Sequence, residues 1–167
     1  MAQEHDSRVS VRTLDPLSDP AKFHIDENAS LLNLMQEGAQ RLAVALLPTP
    51  TSPFDLLHNI LQHDEIGPAI TDLDQAVGDF IKQKHTTRDF GIELVRAFRV
   101  NTRWAVAPEP ELSPRQILAL PAINLDFQTY TLYLPNSSNP LPLDTPVSIS
   151  RGSVFEAQAD GKYGYAQ

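Results

Sequence analysis

Apolar positions near the start of the chain alternate, then lengthen in period. Residues 8–14 (RVSVRTL) place Val9 and Val11 on one face, the spacing of a strand. The next six residues, DPLSDP, carry turn chemistry, and residues 21–26 (AKFHID) alternate again with Phe23 and Ile25 together. Two strands about a proline-rich turn predict a hairpin, preceded by a disordered leader over residues 1–7. From Ser30 the period becomes helical: Leu31, Leu34, Met35, Gly38, Leu42 and Leu46 recur on one face. Ser30 is suited to accept from the free amides of the first turn, and Pro48 stops the run.

The middle of the chain is less regular. Pro48-Thr49-Pro50-Thr51-Ser52-Pro53 is a stiff loop whose last two residues have the form of a helix start, so residues 54–62 are expected as a short helix. Residues 63–72 show no period. Residues 73–83 predict a helix with Val77, Phe80 and Ile81 inward. The run from Phe90 to Val106 is β-rich throughout and too long for one strand. Gly91 to Ala97 is expected to close one domain. Phe98 to Val100 opens the next, with a turn at Asn101-Thr102, a return strand over Arg103 to Val106, and Trp104 in the core.

Ser113-Pro114 repeats the cap-then-proline start, for a short helix ended by Pro121. Thr129 to Leu134 (TYTLYL) alternates, with Leu132 and Leu134 toward the helix and Tyr133 outward. Short strands are expected at Val147 to Ser150 and Val154 to Ala159, separated by a turn at Arg151-Gly152. The order from Phe98 is thus strand, strand, short helix, strand, short strand, strand. That is the order of a β-grasp, a sheet wrapped around one helix, and residues 8–47 open the same way. The expected fold is α+β, with two fused β-grasp, ubiquitin-like domains at 8–97 and 98–160. The first carries a helical insertion at about 48–70, and a flexible tail follows at 161–167.

Composition narrows the chemistry. The absence of cysteine removes disulfides, thiolate nucleophiles and cysteine-bound zinc. A formal charge of −8 with no basic block argues against binding to phosphate backbones. The longest clean apolar run, Leu42 to Leu47, is far short of a membrane span, and the polar N-terminus lacks the regions of a signal peptide. A cytoplasmic protein is expected, with neither nucleic acid nor membrane as partner. His58, His63 and Asp64 fit no metal-ligand spacing and read as a solvated helix terminus. Asp72, Asp74 and Asp79 lack the glycine and final glutamate of a calcium loop. Ser113 is accounted for as a cap. Nothing assembles a nucleophile, a base and an oxyanion site, so no enzyme, no cofactor and no metal are expected.

The second half is more specific. The segments Phe98-Arg99-Val100-Asn101, LSPRQILAL (112–120), LPLDTPV (141–147) and Gly152-Ser153-Val154-Phe155 together resemble the bacterial ubiquitin-like proteins of the multi-ubiquitin type. The whole chain resembles the two-domain members of operons that also encode activating, conjugating and JAB metallopeptidase-like enzymes. The resemblance implies a protein modifier joined through its C-terminus to amines on target proteins, with a role in antiphage defence. Those three enzymes and the target amine would be its partners. Ubiquitin ends in a double glycine, whereas this chain ends Gly161-Lys162-Tyr163-Gly164-Tyr165-Ala166-Gln167. The expected processing point is the Gly164–Tyr165 bond, with Gly161, Lys162 and Tyr163 as the tail that threads the enzymes. Glycine suits that task because it has no Cβ to clash in a narrow channel. Tyr133, with Val154 near it, is the expected docking anchor. The rival expectations are a non-conjugated β-grasp adaptor with an inert tail and, more remotely, a sulfur carrier using the same terminal glycine.

Overall fold

The computed structural model describes residues 6–47 and 54–160. The proline-rich loop at 48–53 and the expected tail, with Gly161, Lys162, Tyr163, Gly164 and the Gly164–Tyr165 bond, lie outside the described residues. The fold is mixed α+β, and the chain divides into two compact units, Met1–Leu94 and Val95–Gln167.

In the first unit, β1 (Asp6–Leu14) and β2 (Ala21–Asp26) form the antiparallel hairpin, with Val9 opposite Phe23. Asp6 and Ser7, expected in a disordered leader, belong to β1 and face Asp26 and Ile25. Helix α1 (Leu31–Arg41) starts at Ser30, whose side chain accepts from the Asn33 amide. There follow β3 (Leu56–Ile60), a 3-10 turn at Gln62–Asp64, β4 (Ile66–Ala69), α2 (Val77–Ile81) and β5 (Asp89–Glu93). The sheet order is β2-β1-β5-β3-β4. The last strand therefore lies inside the sheet, parallel to β1 with Val11 opposite Phe90, and antiparallel to β3. Leu31, Leu34 and Met35 of α1 are fully buried against Val11, Phe90 and Ile92 in one core.

The expected helix at 54–62 is a strand, and the expected helical insertion over 48–70 is displaced by β3, the 3-10 turn and β4 across its described part. A short apolar run does not separate helix from buried strand by period, and here the neighbours decide. β3 lies between β5 and β4, so residues 57–60 are all buried. Its two polar residues are satisfied across the sheet. Asn59 accepts from the Thr87 amide at 3.1 Å and donates to the Asp89 carbonyl at 2.9 Å.

α1 is shorter than its apolar period suggests. Ala43 takes a left-handed φ of 58°. The Ala43 and Val44 amides then turn back to the Gln40 and Ala39 carbonyls and close the helix. Leu46, predicted on the helix face, reaches the same core from the segment beyond it.

The second unit comprises β6 (Ala97–Val100), β7 (Arg103–Val106), β8 (Glu111–Leu112), α3 (Pro114–Ala119), β9 (Tyr130–Tyr133), β10 (Val147–Ser148) and β11 (Val154–Ala159). Its main sheet has the order β7-β6-β11-β9, and β8 pairs separately with β10. Again the last strand is parallel to the first and antiparallel to the third long one. The strand expected over Gly91 to Ala97 ends at Glu93, and Ala97 instead opens β6 opposite Val106. The strand expected over Val147 to Ser150 stops at Ser148, since only Val147 and Ser148 find partners on β8. Helix α3 starts in a reciprocal cap: Ser113 accepts from the Gln116 amide, and the Gln116 side chain accepts from the Ser113 amide. Ile117 and Leu118 bury its inner face against Phe98, Leu132 and Phe155.

Candidate docking face

Alternation along the strands sorts the second unit's sheet into two faces. On β11, Phe155 and Ala157 turn into the core, while Val154, Glu156 and Gln158 turn away from it. Phe98 and Phe155 meet edge to face in the core, with ring centroids 6.1 Å apart. The register sets the outer row: Trp104 of β7 lies opposite Arg99 of β6, and Arg99 opposite Val154 of β11. One step along, Glu156 lies opposite Tyr133 of β9. The outer face thus carries an aromatic ring on each flanking strand, with Arg99, Val154 and Glu156 between them. Directly opposed residues on one sheet face have Cβ atoms about 5 Å apart, so these side chains form one surface.

The hairpin between β6 and β7 is fastened to β11 by Asn101, a left-handed residue with φ of 54°. Its backbone amide donates to the Phe155 carbonyl at 3.0 Å. Its side chain donates to the Ala157 carbonyl at 3.1 Å and accepts from the Ala157 amide at 3.0 Å. Asn101 so extends the parallel ladder by one rung and holds the register that aligns Arg99 with Val154. Arg99 Nε is buried without a hydrogen-bond partner.

Tyr133 and Val154, singled out from the sequence, stand on this same face. Leu132 is buried, but Leu134 lies just past the end of β9 and is 48% exposed instead of facing the helix. Trp104, expected in the core, is only partly buried and lies on the outer face. Its inward neighbour Ala105 takes the core position opposite Phe98. The signal was in the sequence: Phe98 and Val100 inward imply Ala105 inward across the hairpin and Trp104 out.

The remaining candidates are placed by their neighbours. His58 sits on β3 and not at a helix end, with Nδ1 2.8 Å from the Gly67 carbonyl and Nε2 2.8 Å from Glu93 Oε1. His63 and Asp64 form the 3-10 turn beyond it. Asp72 accepts from the Asp74 amide in the turn before α2, and Asp79 lies in the first turn of that helix. Among the described residues no three His, Asp or Glu side chains stand close enough to hold a metal ion. In the second unit the exposed Arg115 pairs with Asp144 at 2.7 Å and lies 4.2 Å over the Phe127 ring. That hydrogen bond is the main reason the Asp144 carboxyl is held below the ordinary aspartate value and the Arg115 guanidinium is raised.

No helix among the described residues is long and apolar enough to cross a membrane. No family model matches the chain, and no curated protein matches it.

Proposed function

We propose that the chain is a ubiquitin-like protein modifier built from two fused β-grasp units and conjugated to target proteins through Gly164. One observation carries this reading: each unit opens with a hairpin, crosses by a helix, and returns its last strand parallel to the first, inside the sheet. That arrangement is compatible with a β-grasp, whose element order the sequence predicts from Phe98 onward. In the second unit the returning strand β11 ends at Ala159, so the sequence Gly161-Lys162-Tyr163-Gly164 continues from a central strand. The first unit serves as a recognition or spacing element and the second bears the reactive end.

In this reading an activating enzyme adenylates the Gly164 carboxylate at the expense of ATP, after a JAB-type metallopeptidase has removed Tyr165-Ala166-Gln167. A conjugating enzyme passes the acyl group to an amine of the target. The chain contributes no catalytic group of its own. The cytoplasm would be the setting, and defence against phage the biology that the resemblance implies. The Tyr133–Val154–Trp104 face docks one of these enzymes. The same face also favours a second reading, a non-conjugated adaptor that uses this surface alone.

Intact mass separates the two readings. The chain is co-expressed with the activating, conjugating and peptidase proteins encoded beside it, as wild type and as Gly164→Glu. A modifier loses its last three residues and gives higher-mass adducts that vanish in Gly164→Glu. Retention of Tyr165-Ala166-Gln167 with no Gly164-dependent adduct leaves the adaptor.

A further inference from the structure

On the side of the first unit's sheet turned away from its core, one row crosses three strands. His58 of β3 lies opposite Gly91 of β5, and Gly91 lies opposite Arg12 of β1. Their neighbours Leu57, Ile92 and Val11 are buried in the core, so alternation turns the row the other way. Glu93 stands two residues further along β5 on that same side, about 7 Å from the row and flanked by both long side chains.

His58 meets two acceptors at once. Nδ1 is 2.8 Å from the Gly67 carbonyl, and Nε2 is 2.8 Å from Glu93 Oε1. Carbonyl and carboxylate oxygens only accept, so both contacts are hydrogen bonds when the ring carries a proton on each nitrogen. A neutral ring has one proton to give. The Gly67 carbonyl belongs to a buried residue of β4 and cannot turn to water, whereas the Glu93 side chain is 49% exposed and can. The remaining proton therefore stays on Nδ1, and the bare Nε2 lone pair turns the Glu93 carboxylate away.

A second place for that carboxylate lies on the opposite flank of β5, where Arg12 Nε is buried without a hydrogen-bond partner. Gly91 puts no side chain of its own between the two places. Leu14 lies over it instead, since a Cβ built on Gly91 would meet Leu14 Cγ at 2.7 Å. That apolar side chain separates the two places, so Glu93 occupies one or the other. Other charges near the row are engaged or lie apart from it. Asp89 of β5 accepts from the Ser10 hydroxyl at 2.7 Å, in a depression it shares with Arg8 and Lys22. β4 has no titratable side chain and β3 has none but His58. His63, Asp64 and Glu65 belong to the turn between those two strands.

We infer that Glu93 is a two-position carboxylate, paired with His58 while that ring is doubly protonated and with Arg12 once the ring is neutral. One histidine proton thereby decides whether Arg12 stands free on the outer face of the first sheet. The sign follows from the donors: the His58–Glu93 pair exists at lower pH and is lost as the pH rises and the Nε2 proton passes to water. Histidine is the side chain that makes this change between about pH 5 and 8. The device concerns the first unit alone and does not rest on the modifier reading.

NMR of the isotope-labelled full chain tests it over that range, as wild type, Glu93→Gln and His58→Gln. In the wild type the Arg12 guanidinium signal and the Glu93 carboxyl carbon are expected to move together with the His58 ring signals. In Glu93→Gln the His58 ring still titrates, but the Arg12 signal stays where it is. In His58→Gln, whose side-chain amide can still donate to Gly67, the Arg12 and Glu93 signals hold their wild-type high-pH positions throughout. Glu93→Gln changes a half-exposed side chain, so it decides the matter should His58→Gln fail to fold. An Arg12 signal that does not move in the wild type, or that moves as much in Glu93→Gln, overturns the inference. So does a His58 ring that keeps one protonation state across the range.

Discussion

Gly38 of α1 rests directly on Val11 of β1: a Cβ built on Gly38 would lie 2.6 Å from Val11 Cγ1 and 2.7 Å from Val11 Cβ. Both atoms belong to a short branched side chain that is fully buried, so neither can swing aside. Gly38→Ala gains about 1 kcal/mol of helix propensity. It loses more, about 1–3 kcal/mol, to overpacking. The expected outcome is net destabilisation of the first unit, read as faster hydrogen exchange at β1 and α1 amides. Combining it with Val11→Ala should cost somewhat less than the two changes separately, because loss of both Val11 Cγ atoms relieves part of the clash while the Cβ contact stays. Strict additivity would show that helix and strand do not meet here.

Asn101 makes a different kind of contact, from a turn to a strand. Asn101→Gly keeps the left-handed backbone and loses the two side-chain hydrogen bonds to Ala157, for a cost of about 1–2 kcal/mol. Asn101→Ala adds about 1 kcal/mol of backbone strain to that loss. Trp104, the only tryptophan, lies on the adjoining strand, so its fluorescence reads the unfolding of this unit. The expected order of stability is wild type, then Asn101→Gly, then Asn101→Ala; equal stability of wild type and Asn101→Gly would remove the rung from the account.

The docking face makes a prediction about binding without folding. Tyr133→Glu replaces the proposed aromatic anchor with a charge directly opposite Glu156. Far-UV circular dichroism should be unchanged, and affinity for the activating or conjugating enzyme should fall by about 2 kcal/mol, a factor of roughly thirty. Trp104→Ala, on the opposite flank of the same face, should weaken the same titration. Wild-type affinity in both variants would move docking to another surface.

The Arg115–Asp144 pair predicts a pH dependence whose sign follows from its geometry. The Asp144 carboxyl is lowered chiefly by its hydrogen bond from Arg115. Its favourable contribution is therefore present above the ordinary aspartate value and disappears as the pH falls through the lowered one. Both groups are exposed, so solvent and salt screen the pair and its effect on stability is small. The direct measurement is the carboxyl titration of Asp144 by NMR. Its midpoint should rise toward the ordinary value in Arg115→Gln and, in the wild type, on raising the salt concentration. A midpoint indifferent to Arg115 would mean the pair does not persist in solution.

Much of this was legible in the local pattern, and the failures have a common cause. Ser30 and Ser113 announced the starts of α1 and α3, because capping joins groups three residues apart. The hairpin strands β1 and β2 announced themselves by alternation against one half-exposed face. β3 did not, because its partners Asn59–Thr87 and His58–Glu93 are separated by 28 and 35 residues, and its burial comes from strands on both sides. The end of α1 was missed because Ala43 closes it where the sequence offers no glycine. Trp104, expected in the core, is set on the outer face by its parity with Arg99 across the hairpin. The reading of the tail rests on resemblance alone, since residues 161–167 lie outside the described residues.

The parallel pairing of first and last strands has a consequence for synthesis. Neither sheet can be completed until its final strand exists, which makes the defining contacts of each unit the most distant in its sequence and correspondingly slow to form. A ribosome delivers the first unit's last strand, β5, well before it reaches β11, so the first unit can finish while the second is still being translated. A chain cut short before β11 leaves β6 and β9 with exposed edges and no strand between them. Such a product is sticky and lacks the residues beyond Asp160 altogether. Closure of the second sheet during synthesis therefore waits on β11, the last of its strands to be made.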